Sequence, residues 1–354
     1  MTTINPSLEH IIREYGFVNK PVSIQPITGG LINHTWKISF EEGDYILQQI
    51  NDQVFTSPGD IDANLQMLAT FLEKNHPGYF FVKPLATTPG ATLVQHGEGY
   101  YRLFPFVKDS HTLHTVAHPG QAYEAALQFG SFTHHLKGFD ISRLNITIPG
   151  FHDLSLRYRQ FHMAIENGNP ERVIETADLI RQLKGWSFLA EQFEKWKKDP
   201  AFQYRVTHHD TKISNVLFDD QEKGICVIDL DTVMPGYFFS DLGDMIRTYV
   251  SPVSEEEKDL SLVQVRKEYY AALLDGYREK MKDDLSAGER EHFFEGGCMM
   301  VYMQALRFLT DYLHNDPYYG AQYPGHNRLR AENQWVLLTR LWKMRKDLVA
   351  LGKK

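Results

Sequence analysis

The hydrophobic pattern of the chain changes from strand-like to helix-like about a third of the way along. Up to about residue 107, short alternating or apolar runs are separated by polar, glycine-containing turns, which is typical of β-strands. One helix interrupts this part near 60–75, where apolar residues recur at helical spacing. A short helix is expected ahead of the strands, ending at Gly16. The predicted strands are 22–26, 35–40, 45–50, 91–95 and 100–107.

Long amphipathic segments dominate after about residue 108 and predict a mostly helical second part. The predicted helices are 122–136, 154–167, 172–184, 188–197, 260–282, 291–313 and 333–351. An apolar hairpin at about 216–228 interrupts them. Strands followed by helices predict an α+β fold, with a small β-rich lobe at 1–107, a large helical lobe at 108–354 and a ligand cleft between them.

Composition narrows the class of protein. Hydrophobic residues make up 42% of the chain, as in globular proteins, and no apolar run reaches the ~20 residues of a membrane helix. The N-terminus lacks the basic start and apolar core of a signal peptide. Only Cys226 and Cys298 are present, so we expect free thiols and a cytoplasmic location. The net charge of -8 argues against a nucleic-acid partner.

One stretch carries the residue types that phosphoryl transfer requires. His208, Asp210 and Asn215 form an H-x-D-x-x-x-x-N pattern immediately before the hairpin. Asp210 is placed to orient a hydroxyl nucleophile. Pairing of the hairpin would bring Asn215 next to Asp229, at the end of the second strand. An amide oxygen and a carboxylate there suit Mg²⁺.

The remaining polar residues of this stretch have more than one interpretation. Lys212 can reach a phosphate oxygen as a point charge, whereas His208 is expected to support the loop backbone. Asp231 follows Asp229 by two residues, so on an extended strand it points the same way. It then binds sugar hydroxyls or positions the metal, or it is a structural acceptor for backbone amides. Asp244 either caps the next helix or, as we favour, supports the catalytic loop.

These motifs resemble those of the aminoglycoside phosphotransferase and choline kinase-like family, small-molecule relatives of protein kinases. Within that family, the N-acetylhexosamine 1-kinases are most similar, on the segments H-H-D-T-K-I-S-N, V-I-D-L-D-T-V-M-P-G and S-D-L-G-D-M-I-R. The resemblance implies a bilobal protein-kinase-like fold. It also implies an ATP- and Mg²⁺-dependent transfer of phosphate to the anomeric hydroxyl of N-acetylglucosamine or N-acetylgalactosamine.

The resemblance also suggests where the nucleotide binds. Gly29 and Gly30 lie between two predicted strands, where glycines let the backbone approach phosphates. The segment containing Phe104 and Phe106 corresponds to the hinge that binds adenine. Many relatives carry a phosphate-binding lysine on the third strand, where this chain has Gln48. Either another cation serves the phosphates or ATP binds weakly, and we interpret Gln48 as a subfamily trait rather than a sign of an inactive enzyme.

Substrate residues are less well defined by the sequence. Arg307 and Tyr318 resemble positions used by the hexosamine kinases, and His34 is placed to reach from the glycine-containing loop towards the sugar. A solvent-facing turn histidine, an exposed or salt-bridged helix arginine and a packed tyrosine are the alternatives. Other acceptors remain open: a different sugar, choline, homoserine or an aminoglycoside. Protein kinase activity is disfavoured by the short segment after Asp231, and a non-catalytic binding protein by the intact Asp210.

Overall fold

The computed structural model describes residues 6–27 and 32–353, and its first part is a five-stranded antiparallel sheet. The strands are β1 (Ser23–Pro26), β2 (His34–Ser39), β3 (Asp44–Ile50), β4 (Val94–His96) and β5 (Gly99–Pro105). Their order across the sheet is β1-β2-β3-β5-β4. The β2–β3 hairpin forms because Gly43, at φ 156°, closes a turn that disfavours other residues. All five predicted strands are confirmed, with shifted ends.

The two faces of this sheet have different neighbours. One face packs on α1 (Pro6–Glu14), whose Ile11 and Ile12 are buried against Leu47 and Leu103. Because side chains alternate along a strand, the residues on either side of Leu47 and Leu103 lie on the opposite face. That opposite face forms one wall of a cleft.

The helix between β3 and β4, α2 (Pro58–Asn75), belongs to the larger core of the protein. Its apolar face, which includes Leu65 and Leu68, packs into the cluster formed by the helical part rather than into the sheet's own cluster. The Asn64 side chain donates to the Val233 carbonyl at 3.3 Å. The core is therefore shared across the predicted boundary at residue 107, and that boundary stays a prediction.

The rest of the chain is mostly helical, as predicted. The helices are α3 (Pro119–His135), α4 (Leu154–Asn167), α5 (Pro170–Glu175), α6 (Ala177–Lys184), α7 (Phe188–Trp196), α8 (Phe238–Tyr249), α9 (Lys267–Met281), α10 (Ala287–Glu291), α11 (Phe293–Leu313), α12 (His326–Lys343) and α13 (Arg345–Gly352). The central helix is α11, which is buried along nearly its whole length and contacts α4, α8 and α12. Among the described helices, none is long and apolar enough to cross a membrane.

Five short strands lie within the helical part, and residues of two of them line the cleft. They are β6 (His111–Thr112), β7 (Arg205–Thr207), β8 (Val216–Phe218), β9 (Gly224–Val227) and β10 (Met234–Gly236). Strand β8 lies between β6 and β9, whereas β7 pairs with β10. The predicted hairpin is confirmed as β8–β9, in which Val216 pairs with Val227. The α+β architecture with a cleft between sheet and helices is likewise confirmed.

Candidate active site

The loop from His208 to Asn215 joins β7 to β8 and holds Asp210 in a defined position. Asn215 Nδ2 donates to the Asp210 carbonyl at 2.9 Å and to Asp210 Oδ2 at 3.1 Å, and Lys212 Nζ lies 3.1 Å from Asp210 Oδ1. Burial raises the pKa of the Asp210 carboxyl, but neighbouring positive charge, chiefly Lys212, outweighs burial and holds that pKa below its usual range. Asp210 is therefore ionised at neutral pH.

The backbone of this loop is held by two buried aspartates on α8. Asp241 accepts from the backbone N–H groups of His208 at 3.0 Å and His209 at 2.7 Å. Asp244 accepts from the N–H of Thr211 at 2.9 Å. The two carboxylates share one face of the helix because they are three residues apart. Neither caps α8, which begins at Phe238, so the structure places Asp244 in the supporting position that we favoured.

His208 is fully buried and joins the loop to the segment that follows β9. Its Nε2 donates to the Ile228 carbonyl at 2.9 Å, and its own carbonyl accepts from Thr232 Oγ1 at 2.6 Å. Burial lowers the pKa of the His208 imidazole, which leaves it neutral at neutral pH. The predicted supporting role of His208 fits these contacts.

Asn215 and Asp229 converge on one cavity, as the hairpin predicted. The Ile228 N–H donates to the Asn215 carbonyl at 2.9 Å, so the two side chains enter the cleft from neighbouring positions. Asp229 lies in the left-handed region, at φ 59°, so the extended strand does not continue through it. Its side chain lines the cleft. Desolvation of the carboxylate by the surrounding protein, together with the negative charges of Asp231 and Asp210, raises the pKa of Asp229 to about 7.

This donor set fits a magnesium ion held jointly with phosphates. Asn215 uses its amide nitrogen on Asp210, which leaves its amide oxygen for a cation. The negative potential that raises the pKa of Asp229 also attracts a cation. Within residues 6–27 and 32–353, no group of three or more His, Cys, Asp or Glu side chains is arranged for metal binding. Two oxygen ligands suit Mg²⁺, which takes its remaining ligands from phosphates and water.

A cavity of about 450 Å³ lies between the sheet and the β8–β9 hairpin. It brings together five of the residues predicted to bind ATP or magnesium: Gln48, Phe104, Phe106, Asn215 and Asp229. Apolar side chains from both lobes complete its walls, including Ile46, Leu65 and Leu217. An apolar slot that ends in polar oxygen ligands suits a nucleotide, whose base is flat and whose phosphates are charged. The predicted Gly29 and Gly30 lie outside the described residues.

Asp231 does not point into the cleft beside Asp229, and that expectation is wrong. The chain is not extended here, because Leu230–Thr232 form a 3₁₀ turn directly after Asp229. Asp231 is buried, with Oδ1 2.5 Å from Arg102 Nη2, and its Oδ2 accepts from Asn33 Nδ2 at 2.7 Å. These contacts favour a structural role for Asp231, although its partners are side chains rather than the backbone amides we considered.

Arg307 and Tyr318 line a second cavity, of about 530 Å³, whose other lining residues come from α4, α11 and the segment that follows α11. The Arg307 guanidinium lies over the Phe151 ring, with 4.9 Å between its Cζ and the ring centroid. Phe151 stacks on His152, whose Nδ1 lies 3.3 Å from Nδ1 of His209, the residue before Asp210. The cavity is thus linked to Asp210 through three packed rings. His34 is exposed at the start of β2 and does not line either cavity.

Two residues of this region went unnoticed in the sequence. Arg157 lies on α4 and lines the second cavity, and Arg102 lies on β5 and lines the first. Arg102 had a usable signal, because strand alternation puts it on the same face as Phe104 and Phe106. No signal in the sequence indicated Arg157, because the pattern of α4 alone does not show which cavity this residue lines.

Comparison with known proteins extends this geometry. A family model described as "Phosphotransferase enzyme family" matches residues 23–283, which include the sheet, the catalytic loop and both cleft walls. The chain belongs to this family. Its members transfer phosphoryl groups, in agreement with the fixed carboxylate and the nucleotide-sized cavity described above.

Solved structures agree on the fold of this phosphotransferase. An aminoglycoside phosphotransferase from Alicyclobacillus acidocaldarius is 14% identical, with a TM-score of 0.58 and 98% of each chain covered. A microcompartment-associated aminopropanol kinase is 14% identical, with a TM-score of 0.62, over 96% of this chain and 97% of that one. Choline kinase from Cryptosporidium parvum is 16% identical, with a TM-score of 0.55, over 98% and 96%. The predicted protein-kinase-like fold is confirmed.

Proposed function

We propose that this phosphotransferase transfers the γ-phosphoryl group of ATP to a hydroxyl of a small sugar, the anomeric 1-hydroxyl of an N-acetylhexosamine. The observation that carries the transfer itself is Asp210, an ionised carboxylate fixed beside a cavity that ends in Asn215 and Asp229. The donor is a nucleotide, and solved relatives of the same fold have been crystallised with ADP and with AMP.

The transfer step uses these residues in turn. The acceptor hydroxyl oxygen forms a bond to the γ-phosphorus while the bond from that phosphorus to the β–γ bridging oxygen breaks, and ADP leaves. Asp210 orients the hydroxyl and accepts its proton. Asn215 and Asp229 would hold Mg²⁺, which would supply positive charge to the phosphate oxygens. Lys212 stays paired with Asp210 and keeps that carboxylate ionised until the proton arrives.

The second cavity is our candidate for the acceptor site. It combines aromatic surface from Tyr318 with hydrogen-bond donors from Arg157 and Arg307, a combination that suits a sugar ring and its oxygens. The Asp311 carboxylate at its edge already accepts from the backbone N–H groups of Tyr318, at 2.8 Å, and Tyr319, at 3.0 Å.

Charge in this cavity distinguishes among the acceptors. Burial and the charge of Arg307 lower the pKa of Arg157 to about 10, which still leaves the Arg157 guanidinium positive at neutral pH. Choline and aminopropanol, named for two of the similar structures, are cations; the two arginines disfavour them here, and the single Asp311 carboxylate offsets only part of that positive charge. A neutral sugar is not repelled, and its acetamido carbonyl can accept from a guanidinium.

The short segment after Asp231 also favours a small acceptor. Only β10 and its flanking residues lie between Asp231 and α8, so no long segment is available to bind a protein substrate.

The two described cysteines, Cys226 and Cys298, are buried and free, which supports a reducing, cytoplasmic location.

The proposal is tested by measuring ADP release with Mg-ATP and a panel of acceptors. The panel contains N-acetylglucosamine, N-acetylgalactosamine, glucose, galactose, choline, homoserine and kanamycin. We expect turnover on an N-acetylhexosamine, with a product that has lost its reducing end. Turnover only on an amine would keep the phosphotransferase chemistry and refute the sugar. No turnover on any acceptor, together with no binding of ATP, would refute the donor as well.

A further inference from the structure

The nucleotide cavity contains one arginine that has not been given a role. Gln48 stands on β3 where the resemblance suggested a lysine, and it carries no charge. Among the described residues that line the cavity, the only lysine or arginine is Arg102, on the neighbouring strand β5. A nucleotide with two or three phosphates needs positive charge beyond that of one metal ion.

Strand register places Arg102 in the same row as Gln48. Gln48 pairs with Arg102 across β3 and β5, and with Thr35 across β2 and β3. Paired residues point to the same face of a sheet, so all three side chains face the cavity. The positive charge therefore lies on β5 rather than on β3, in the same cross-strand row of side chains in which the lysine was expected.

The Arg102 guanidinium is held by Gln48 and Asp231. Gln48 Oε1 accepts from Arg102 Nε at 3.2 Å and from Nη2 at 3.0 Å, and Nη2 also forms the ion pair with Asp231. Arg102 is 1% exposed. Its remaining nitrogen, Nη1, is buried and has no hydrogen-bond partner among the described residues. Such an orphaned donor is unfavourable unless something else accepts from it.

Asp231 provides the counter-charge that keeps Arg102 in place. It comes from the large lobe, and it also binds Asn33, whose Oδ1 accepts from the Asn51 N–H at 3.0 Å. In protein kinases, the phosphate-binding lysine is held by a glutamate from a helix of the small lobe. Here the described acidic residues of α2 do not contact Arg102. Asp62, for example, accepts instead from Gln66 and Thr92.

We propose that Arg102 Nη1 donates to a phosphate oxygen of the bound nucleotide, and that Gln48 and Asp231 are its positioning residues. The inference rests on the proposed use of ATP but not on the identity of the acceptor. A buried guanidinium with one free N–H group is suited to such an anion, because arginine keeps its charge when buried and presents its donors in a fixed plane. Gln48 thus acts on phosphate through Arg102 and not as a replacement for lysine.

The test is calorimetric titration with ATP, ADP and adenosine, which requires no acceptor. The main variant is the double substitution Arg102→Gln with Asp231→Asn, because removing Arg102 alone would leave the Asp231 carboxylate buried without a counter-charge. We expect its affinity for ATP and ADP to fall by about 10- to 100-fold, the value of one charge-assisted hydrogen bond. Its affinity for adenosine should stay within about twofold, because adenosine has no phosphate.

A matched control removes another arginine–aspartate pair, through Arg172→Gln with Asp316→Asn. That pair joins at 2.6 Å, and neither residue lines the nucleotide cavity. Its ATP affinity should equal that of the unaltered protein. A second variant, Arg102→Lys, keeps a positive charge opposite Asp231 but loses the planar guanidinium with its several N–H donors. We expect it to retain the melting temperature within a few degrees and still to bind ATP more weakly, with adenosine unaffected.

Three results would overturn the proposal. Unchanged ATP affinity in both Arg102 variants would show that Nη1 does not contact phosphate. An equal loss of adenosine affinity would show that the pair with Asp231 only shapes the cavity. Failure of the unaltered protein to bind ATP would refute the proposed nucleotide donor itself, whereas failure of the sugar panel alone would leave the Arg102 proposal standing.

Discussion

Replacing Asp210 by asparagine should remove catalysis while leaving the fold intact. The change keeps the shape of the side chain and an oxygen that can still accept from Asn215, at present 3.1 Å away. It removes the negative charge that faces Lys212 and the capacity to accept a proton. The pKa of Asp210 lies below its usual range, so the charge is present throughout the neutral range and its loss should be felt there at every pH.

The expected magnitudes follow from exposure and contact. The Lys212 and Asp210 side chains are 40% and 24% exposed, so solvent screens their pairing and its loss should cost about 1 kcal/mol or less. The melting temperature should therefore fall by no more than about 4 °C. Loss of a positioned base lowers turnover by about 10²- to 10⁴-fold. Asp210 does not line the nucleotide cavity, so ADP affinity should not change.

The assay is steady-state ADP release, run together with thermal unfolding and ADP titration. Asp220→Asn is a matched control, because Asp220 is exposed in the turn between β8 and β9 and the chemical change is the same. The control should behave as the unaltered protein. If Asp210→Asn kept more than about a tenth of the normal turnover, Asp210 would not be the base. If it lost turnover together with ADP binding or much of its thermal stability, the loss would be structural.

Three further results are expected. Burial lowers the pKa of His209 to about 3, so the unfolded chain takes up a proton below about pH 6.5 that the folded one does not, and folding stability falls with falling pH. In denaturant titrations, His209→Gln should reduce that loss by about 1.4 kcal/mol per pH unit between pH 6 and pH 5, and an unchanged slope would contradict it. Gly276→Ala should destabilise by about 1–3 kcal/mol or more in the same titrations, because its Cβ would lie 2.2 Å from the Tyr123 carbonyl oxygen between α9 and α3. Gly59→Ala, with no atom within 4 Å, is its control and should cost nothing. Arg307→Gln should raise the acceptor KM several-fold with the ATP KM unchanged, and equal effects on both would argue against the second cavity as the acceptor site.

Much of the fold was predictable because its segments have strong local patterns. The β8–β9 hairpin was predicted from two apolar runs around a polar turn, and its register then brought Asn215 beside Asp229. Helix ends were less predictable. The predicted helix 172–184 is interrupted at Thr176, and 333–351 is interrupted at Met344. Neither interruption contains a proline or glycine, so packing rather than local sequence sets it.

The candidate site was predictable where its residues are close in sequence. The pattern from His208 to Asn215 places the loop's groups within reach of one another, and α8 follows soon enough for Asp244 to support it. Asp231 was misplaced because its strand was assumed to continue, whereas the left-handed conformation of Asp229 starts a 3₁₀ turn.

The sequence by itself determined the two-part α+β architecture, the position of Asp210 and the hairpin that joins Asn215 to Asp229. Those features depend on the periodicity and turn chemistry of neighbouring residues, and both can be recognised in the sequence alone. Only the tertiary structure decided that Arg102 pairs with Asp231 and that Arg157 and Arg307 line one cavity. Each of these arrangements brings together residues more than a hundred positions apart, and it depends on how whole elements pack, which local patterns do not encode.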